Sequence, residues 1–472
     1  MPLLPSSPAG FAGMDVTIMG LGLHGGGLES ARFFAERGAR VCVTDLRDEK
    51  LLQPSIEALS GFPIRYVLGR HEIADFSKAD LVIKNPAVRP SSPYLAAAKT
   101  IESDISIFLR YSASPLAAVT GSKGKSSTAS AIFHGFAASG REALLGGNIT
   151  VSPLSFLHRT APDIPVVLEL SSWQLADLRG KGVLKPKAAV ITAIMPDHLN
   201  YYTSMEEYVS DKRVIYSGQG SDDFTICDLD SDWGRSFAGE TRAKVLYYSE
   251  HRHELEGAWL EEGREDVAWE GAASGWSAFG GKESPILPSS LLVQGTHMKK
   301  NLLAASLALQ TFGLTPESIH SAMGSFGGVE HRMELFAESG GVRWYNDSAA
   351  TIPQASLASL QSFTEPVILI AGGADKNLDF EPVAEGFRRA KAIILLDGSA
   401  TAKFVAALER VGIQYFGPFG DIGSAVAEAD RLCSPGSVVL LSPGCASFGM
   451  FIHEFDRGEK FKKAVRSYLG LA

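Results

Sequence analysis

The sequence predicts an α/β protein of three domains. These are an N-terminal Rossmann-like domain over residues 1–113, a central P-loop-type domain with a parallel sheet over 114–327, and a C-terminal Rossmann-like α/β domain over 328–472. Three observations predict it. The 472 residues are about three times the ~150 residues of a typical domain. Two apolar runs, Asp15 to Met19 and Leu116 to Val119, each turn through glycines into a helical stretch. Beyond residue 328, apolar strands alternate with helical stretches, the pattern of a parallel sheet covered by helices.

In the first domain, the strand Asp15 to Gly20 leads into Gly20-Leu21-Gly22-Leu23-His24-Gly25 and a helix over Glu29 to Arg37, which Gly38 ends. A second strand, Ala39 to Thr44, closes on Asp45, and further strands are expected at Ala79 to Lys84 and near Ile101 to Ile105. Glycines at this spacing, with an acid about twenty residues on, fit the dinucleotide fingerprint: close backbone approach to a pyrophosphate and a carboxylate for a ribose. A uridine diphosphate would satisfy the same physics. An NAD(P)-linked oxidoreductase, a uridine diphosphate handle and a ligand-free tight turn all remain open here, although nothing downstream supplies a hydride-transfer site.

The second domain opens on Thr120-Gly121-Ser122-Lys123-Gly124-Lys125-Ser126-Ser127, between the apolar run and a helix. Glycines let backbone N–H groups converge on an anion, and the helix N-terminus adds partial positive charge. Lys125 can reach the outer phosphates, and Ser126 offers a hydroxyl to magnesium. The spacing is shorter than in the common P-loop, since Val119 stands where that loop has its first glycine.

Glu169 ends the next apolar strand (Ile164 to Leu170), where a Mg²⁺ ligand should sit in a nucleotide-binding sheet. Pro196-Asp197-His198 follows another strand, Ala188 to Ile194. Ser204-Met205-Glu206-Glu207 reads as a capping box, and its helix carries Tyr208 and Lys212 one turn apart. From spacing alone Lys212 reads as a solvated surface lysine. Residues 231–288 read as short strands and loops, and a helix resumes over Met298 to Gln310.

In the third domain, strands are expected at Val342 to Tyr345, Pro366 to Ala371, Ala392 to Leu396 and Ser437 to Leu441, with helices at Thr401 to Arg410 and Ile422 to Leu432.

Composition narrows the function classes. Net charge is −9, which argues against nucleic acid as the main partner. Four scattered cysteines, Cys42, Cys227, Cys433 and Cys445, suggest neither a disulfide framework nor a zinc site and point to a reducing compartment. The N-terminal stretch lacks the pattern of a signal peptide, and no apolar run is long enough to span a bilayer, so a cytoplasmic protein without membrane insertion is expected.

Taken together, these motifs resemble the Mur ligases, which build the peptide stem of bacterial cell-wall precursors. The matching segments are Gly20 to Gly25, Thr120 to Ser127, Gly146 to Ile149, Leu168 to Leu175, Asp197-His198, Gly328 to Arg332, Asn346 to Ser348, Gly372 to Lys376 and Leu441 to Ser447.

The resemblance implies an ATP-dependent ligase, expected to be a monomer, that joins D-glutamate to UDP-N-acetylmuramoyl-L-alanine, with L-glutamate or another amino acid as the alternative acceptor. It implies that Leu23, His24, Asp45, Arg47, Asn85 and Asn148 hold the uridine diphosphate end, with Ser171 and Gln174 also binding substrate. Gly121 to Ser127 would bind ATP, with Asn301 at adenine and Arg332 and Asp347 at phosphate and ribose. Ser126 and Glu169 would ligate one Mg²⁺, and His198 a second together with a carbamylated Lys212. Thr351, Lys376 and Ser447 would bind the incoming glutamate. Lys125, Lys212, His198 and His331 would carry the catalysis.

Three positions depart from the family pattern. Ala349 replaces a usual lysine, Met298 replaces a usual asparagine, and Phe455 is offset by one. Removing a cation beside a dicarboxylate reshapes the pocket that must recognise it.

Overall fold

A computed structural model describes residues 4–22, 25–149, 151–197, 201–261, 273–293, 295–375 and 378–471. The chain forms two compact bodies, one of residues 1–290 with 296–324 and the other of 291–295 with 325–472.

The first body contains two sheets. The N-terminal sheet has five parallel strands: β1 (Asp15–Met19), β2 (Arg40–Asp45), β3 (Arg65–Leu68), β4 (Leu81–Lys84) and β5 (Ile101–Glu102). Their order is β3-β2-β1-β4-β5. The order reverses between β1 and β4, and a crevice outside the carboxyl ends of the strands at such a point is where open α/β sheets hold ligands. The expected strand near Ile101 to Ile105 is cut to two residues. Ser103 caps a helix over Asp104–Tyr111, its hydroxyl accepting from the Ser106 amide, so the apolar Ile105, Ile107 and Phe108 are buried from a helix.

The second sheet has nine strands. They are β6 (Leu116–Thr120), β7 (Leu144–Gly147), β8 (Val166–Glu169), β9 (Ala188–Ile191), β10 (Phe224–Asp228), β11 (Lys244–Ser249), β12 (Gly257–Leu260), β13 (Ala273–Phe279) and β14 (Lys282–Pro288), in the order β14-β13-β12-β11-β10-β9-β6-β8-β7. From β7 to β12 the pairing is parallel, and β12 to β14 add an antiparallel edge. The central strands are buried along their whole length, as β6 is from Leu116 to Thr120. The stretch expected to hold only short strands and loops also contains a helix, Asp232–Glu240, which buries Phe237 under an otherwise polar surface.

The second body holds β15 (Glu334–Ser339), β16 (Val342–Asn346), β17 (Val367–Gly372), β18 (Ala392–Leu396), β19 (Phe416–Phe419) and β20 (Val438–Leu441), ordered β15-β16-β20-β17-β18-β19. Only β15 runs antiparallel to its neighbour. A sixteen-residue helix, Glu454–Leu469, which the sequence pattern did not mark, buries Arg457, Gly458, Phe461, Lys462 and Val465.

Candidate active site

The phosphate loop leaves the end of β6, between β8 and β9. Gly124 adopts φ 90°, and a methyl group there would stand 2.4 Å from Asn301 Oδ1, so a larger residue would meet both strain and collision. Gly121 is packed against Thr192, whose Oγ1 would lie 1.9 Å from an added Cβ. Thr192 Oγ1 donates to Lys123 O at 2.7 Å, and the Ser122 amide donates to Ala193 O at 2.8 Å. The strand end beyond β9 therefore holds the loop from behind. The helix Lys125–Ala138 starts here, and Lys125 Nζ donates back to Gly121 O and Ser122 O, both at 3.0 Å. Ser126 and Ser127 occupy its first turn. Such a cradle, closed behind and open in front, suits an anionic phosphate.

Glu169 ends β8, directly across from Val119. Its side chain is 1% exposed. Oε1 accepts from Asn148 Nδ2 at 2.8 Å, while Oε2 is buried with no hydrogen-bond partner among the described residues. A buried carboxylate oxygen without a donor is costly unless a cation completes it, so the residues present fit Mg²⁺. Ser171 and Gln174 lie just beyond. They form a reciprocal capping box, in which the Gln174 amide donates to Ser171 Oγ and the Ser171 amide to Gln174 Oε1.

Lys212 is not a surface lysine. It closes the helix Met205–Lys212 with a side chain 2% exposed, its Nζ donating to Gly121 O at 2.8 Å and lying 4.4 Å from the centre of the Tyr208 ring. Tyr208 hydrogen-bonds Ser122 of the phosphate loop at 3.0 Å, which is what draws the helix inward. Burial, and then the Lys125 cation, push the Lys212 ammonium down to about 7. One carbonyl oxygen, that of Gly121, thus accepts from two lysines. Ser204 caps this helix as expected, but Glu207 turns away from the box to accept from Thr203. Asp197 lies 3.5 Å from Lys123 Nζ, and His198 lies outside the described residues.

At the N-terminal sheet, Asp45 ends β2 and accepts from the amides of Gly22 at 3.2 Å and Arg47 at 2.9 Å. A Cβ on Gly20 would stand 3.1 Å from Asn85 Cβ, so the glycine loop and Asn85 share the crevice at the reversal point. Leu23 and His24 lie outside the described residues.

In the second body, the adjacent strands β16, β20 and β17 carry at their carboxyl ends Asn346-Asp347-Ser348, Ser442 to Ser447 and Gly372 to Ala374. Thr351 follows the first of these loops, and Lys376, after the last, lies outside the described residues. Asp347 is fully enclosed; it accepts from Ser442 Oγ at 2.7 Å and the Met333 amide at 3.2 Å, and burial pushes its carboxyl up to about 6. Ser447 Oγ is buried without a partner among the described residues. Arg332 is exposed beside them.

His331 sits in the left-handed region at φ 62°. Its Nδ1 accepts from Asn346 Nδ2 at 2.9 Å, so Nε2 carries the proton and faces Glu459 Oε1 at 3.4 Å. Burial holds its pKa below the usual histidine value. No sequence signal marks this cage, because Glu459 and Gly458 come from the distant terminal helix. A Cβ on Gly458 would stand 2.1 Å from His331 Nδ1. Gly458→Ala is therefore expected to cost about 1–3 kcal/mol, the usual range for overpacking, read as a lower urea midpoint.

Comparison with known proteins agrees with this arrangement. Family models match as the Mur ligase MurD-like N-terminal domain over residues 14–107, the Mur ligase middle domain over 119–309, and the Mur ligase glutamate ligase domain over 331–445. A protein of Treponema pallidum (strain Nichols) called UDP-N-acetylmuramoylalanine–D-glutamate ligase is 43% identical, the match covering 96% of this chain and 98% of that one. A protein of the same name from Roseiflexus sp. is 42% identical over 97% and 99%. Among solved structures, a UDP-N-acetylmuramate-alanine ligase from Thermotoga maritima superposes with a TM-score of 0.56 at 18% identity over 96% of this chain and 100% of that one, a likeness of fold.

Proposed function

The chain belongs to the Mur ligase family, and from that premise we propose that it joins D-glutamate to UDP-N-acetylmuramoyl-L-alanine at the expense of ATP. That membership sets aside the oxidoreductase reading of the first glycine loop, which becomes a handle for uridine diphosphate. The observation that most supports the chemistry is the convergence of the phosphate loop and the unsatisfied Glu169 oxygen at the ends of the adjacent strands β6 and β8, with the buried Lys212 brought to Gly121 O of that loop by the helix Met205–Lys212.

The carboxylate of UDP-N-acetylmuramoyl-L-alanine attacks the γ-phosphorus of ATP, ADP departs, and an acyl phosphate forms. The amine of glutamate then attacks the acyl carbon, loses a proton, and phosphate leaves with an amide bond made. The loop amides and the helix N-terminus hold the ATP phosphates, and Lys125 follows the charge on the transferred group. Asn301 is assigned to adenine, Arg332 and Asp347 to phosphate and ribose, and Asp45, Arg47, Asn85 and Asn148 to the uridine diphosphate. Thr351, Lys376 and Ser447 are assigned to the acceptor.

Mg²⁺, which Mur ligases use, would be held by Ser126 and Glu169 in one position and by His198 and a carbamylated Lys212 in another, and would neutralise phosphate charge. Two features support the carbamate: a lysine neutralised by burial can add CO2 with release of a proton, and an anion there relieves the crowding of two cations on Gly121 O. His331, with both ring nitrogens engaged, is assigned to positioning. No helix among the described residues is long and apolar enough to cross a membrane, and the cytoplasm is the proposed site of action.

Phosphate release should be measured with UDP-N-acetylmuramoyl-L-alanine, ATP and each of D-glutamate, L-glutamate and other amino acids in turn. D-glutamate is expected to support turnover and the others little. Release that ignores the acceptor would defeat the ligase reading, and preference for another amino acid would reassign the pocket that Ala349 has altered.

A further inference from the structure

A buried ion pair fixes the uridine-side crevice to the helix that follows Glu169. Lys84, the last residue of β4, is 5% exposed. Its Nζ lies 2.8 Å from Asp177 Oδ2 and donates to Val88 O at 3.0 Å, so it also braces the loop that begins at Asn85. Asp177 stands near the end of the helix Ser172–Leu178. The start of that helix is the Ser171–Gln174 capping box, two residues beyond Glu169. A second pair acts just past its end: Lys181 Nζ lies 3.0 Å from Glu102 Oε2 and donates to Ile101 O at 2.8 Å, both on β5. One short helix is thus fixed at two points to two neighbouring strands of the N-terminal sheet. Its opposite end presents the side chains assigned to substrate.

Burial makes this pair directional rather than strongly stabilising. Removing two ions from water offsets most of their attraction, and apolar replacements of similar volume often leave stability unchanged. What an ion pair adds is a fixed distance between its groups. A helix of seven residues is only about 10 Å long and moves as a rod, so a shift at Asp177 reaches Ser171 undiminished.

We infer that Lys84 and Asp177 are positioning residues for the UDP-linked substrate, setting the spacing between Asn85 and Ser171. The inference rests on the ligase reading above. The tests are the double variant Lys84→Met with Asp177→Leu and the isosteric single variant Asp177→Asn, each compared with wild type for urea midpoint and for KM of all three substrates.

The double variant is expected to keep its urea midpoint while KM for UDP-N-acetylmuramoyl-L-alanine rises about tenfold or more, since small misplacements of a positioned substrate carry large kinetic effects. KM for ATP and for glutamate should stay within about twofold, because the phosphate loop is held by Thr192 and Ala193 and the acceptor residues follow strands of the second body's sheet. Asp177→Asn keeps the shape of the side chain but removes its charge, and an intermediate rise is expected. Should the double variant unfold, the single variant decides alone. An unchanged KM for the UDP-linked substrate, or an equal rise for ATP, overturns the inference. A wild-type chain without turnover overturns the ligase reading and the inference with it, whereas an active wild type beside an unchanged double variant overturns the inference alone.

Discussion

Lys125→Ala is expected to lower acceptor-dependent phosphate release by about a thousandfold, the scale seen when a charge that follows a transferring phosphoryl group is lost. The Lys125 ammonium rests on the carbonyls of Gly121 and Ser122, at the mouth of a loop whose other side is held by Thr192 and Ala193. ATP would draw it off those carbonyls toward the outer phosphates. The loop amides and the start of the helix remain in the variant, so ATP should still bind, and the loss should fall mainly on kcat rather than on KM for ATP. Initial rates with all three substrates, with the urea midpoint as a folding control, check this. Turnover within tenfold of wild type would remove the loop from the chemistry.

Legibility in the sequence followed the range of the interaction. The phosphate loop was readable because its glycines, lysine and serine act over eight consecutive residues, and Glu169 because a strand end fixes where an acid points. Spacing alone leaves Lys212 on the surface, and only the family resemblance points it at a metal. Helical spacing places it beside Tyr208 but cannot reveal that Tyr208 reaches Ser122, far away in the chain. The His331 cage and the Lys84–Asp177 pair are likewise made by residues distant in sequence. The terminal helix Glu454–Leu469 is hidden in the sequence for a local reason: it buries Arg457 and Lys462 on its inner face, so its core side carries charge where a helical pattern has apolar residues. Lys462 sits among Glu330, Glu334 and Glu459, and Arg457 donates hydrogen bonds to the hydroxyl and carbonyl of Ser348 and to the Cys445 carbonyl.

Lys212→Ala is expected to reduce turnover about a hundredfold, the scale at which groups that support a metal site act, and an added short carboxylate such as acetate should restore at least about a tenth of it. The reasoning begins with charge. An ammonium at Lys212 would share Gly121 O with Lys125 in a buried setting, and both burial and that neighbour disfavour it. With its pKa brought down to about 7, much of the side chain is a neutral amine at physiological pH. A neutral amine adds CO2, an ammonium does not, so activation of CO2-depleted enzyme by bicarbonate should strengthen as pH rises from about 6 to 8 around that pKa. Lys212→Arg separates the alternatives. It keeps a cation but cannot form the carbamate, so it should be as impaired as the alanine variant if the site needs an anion. Activity in the arginine variant, with no response of the alanine variant to acetate, would assign the position to a cation. The two lysines on Gly121 O would then act together on phosphate.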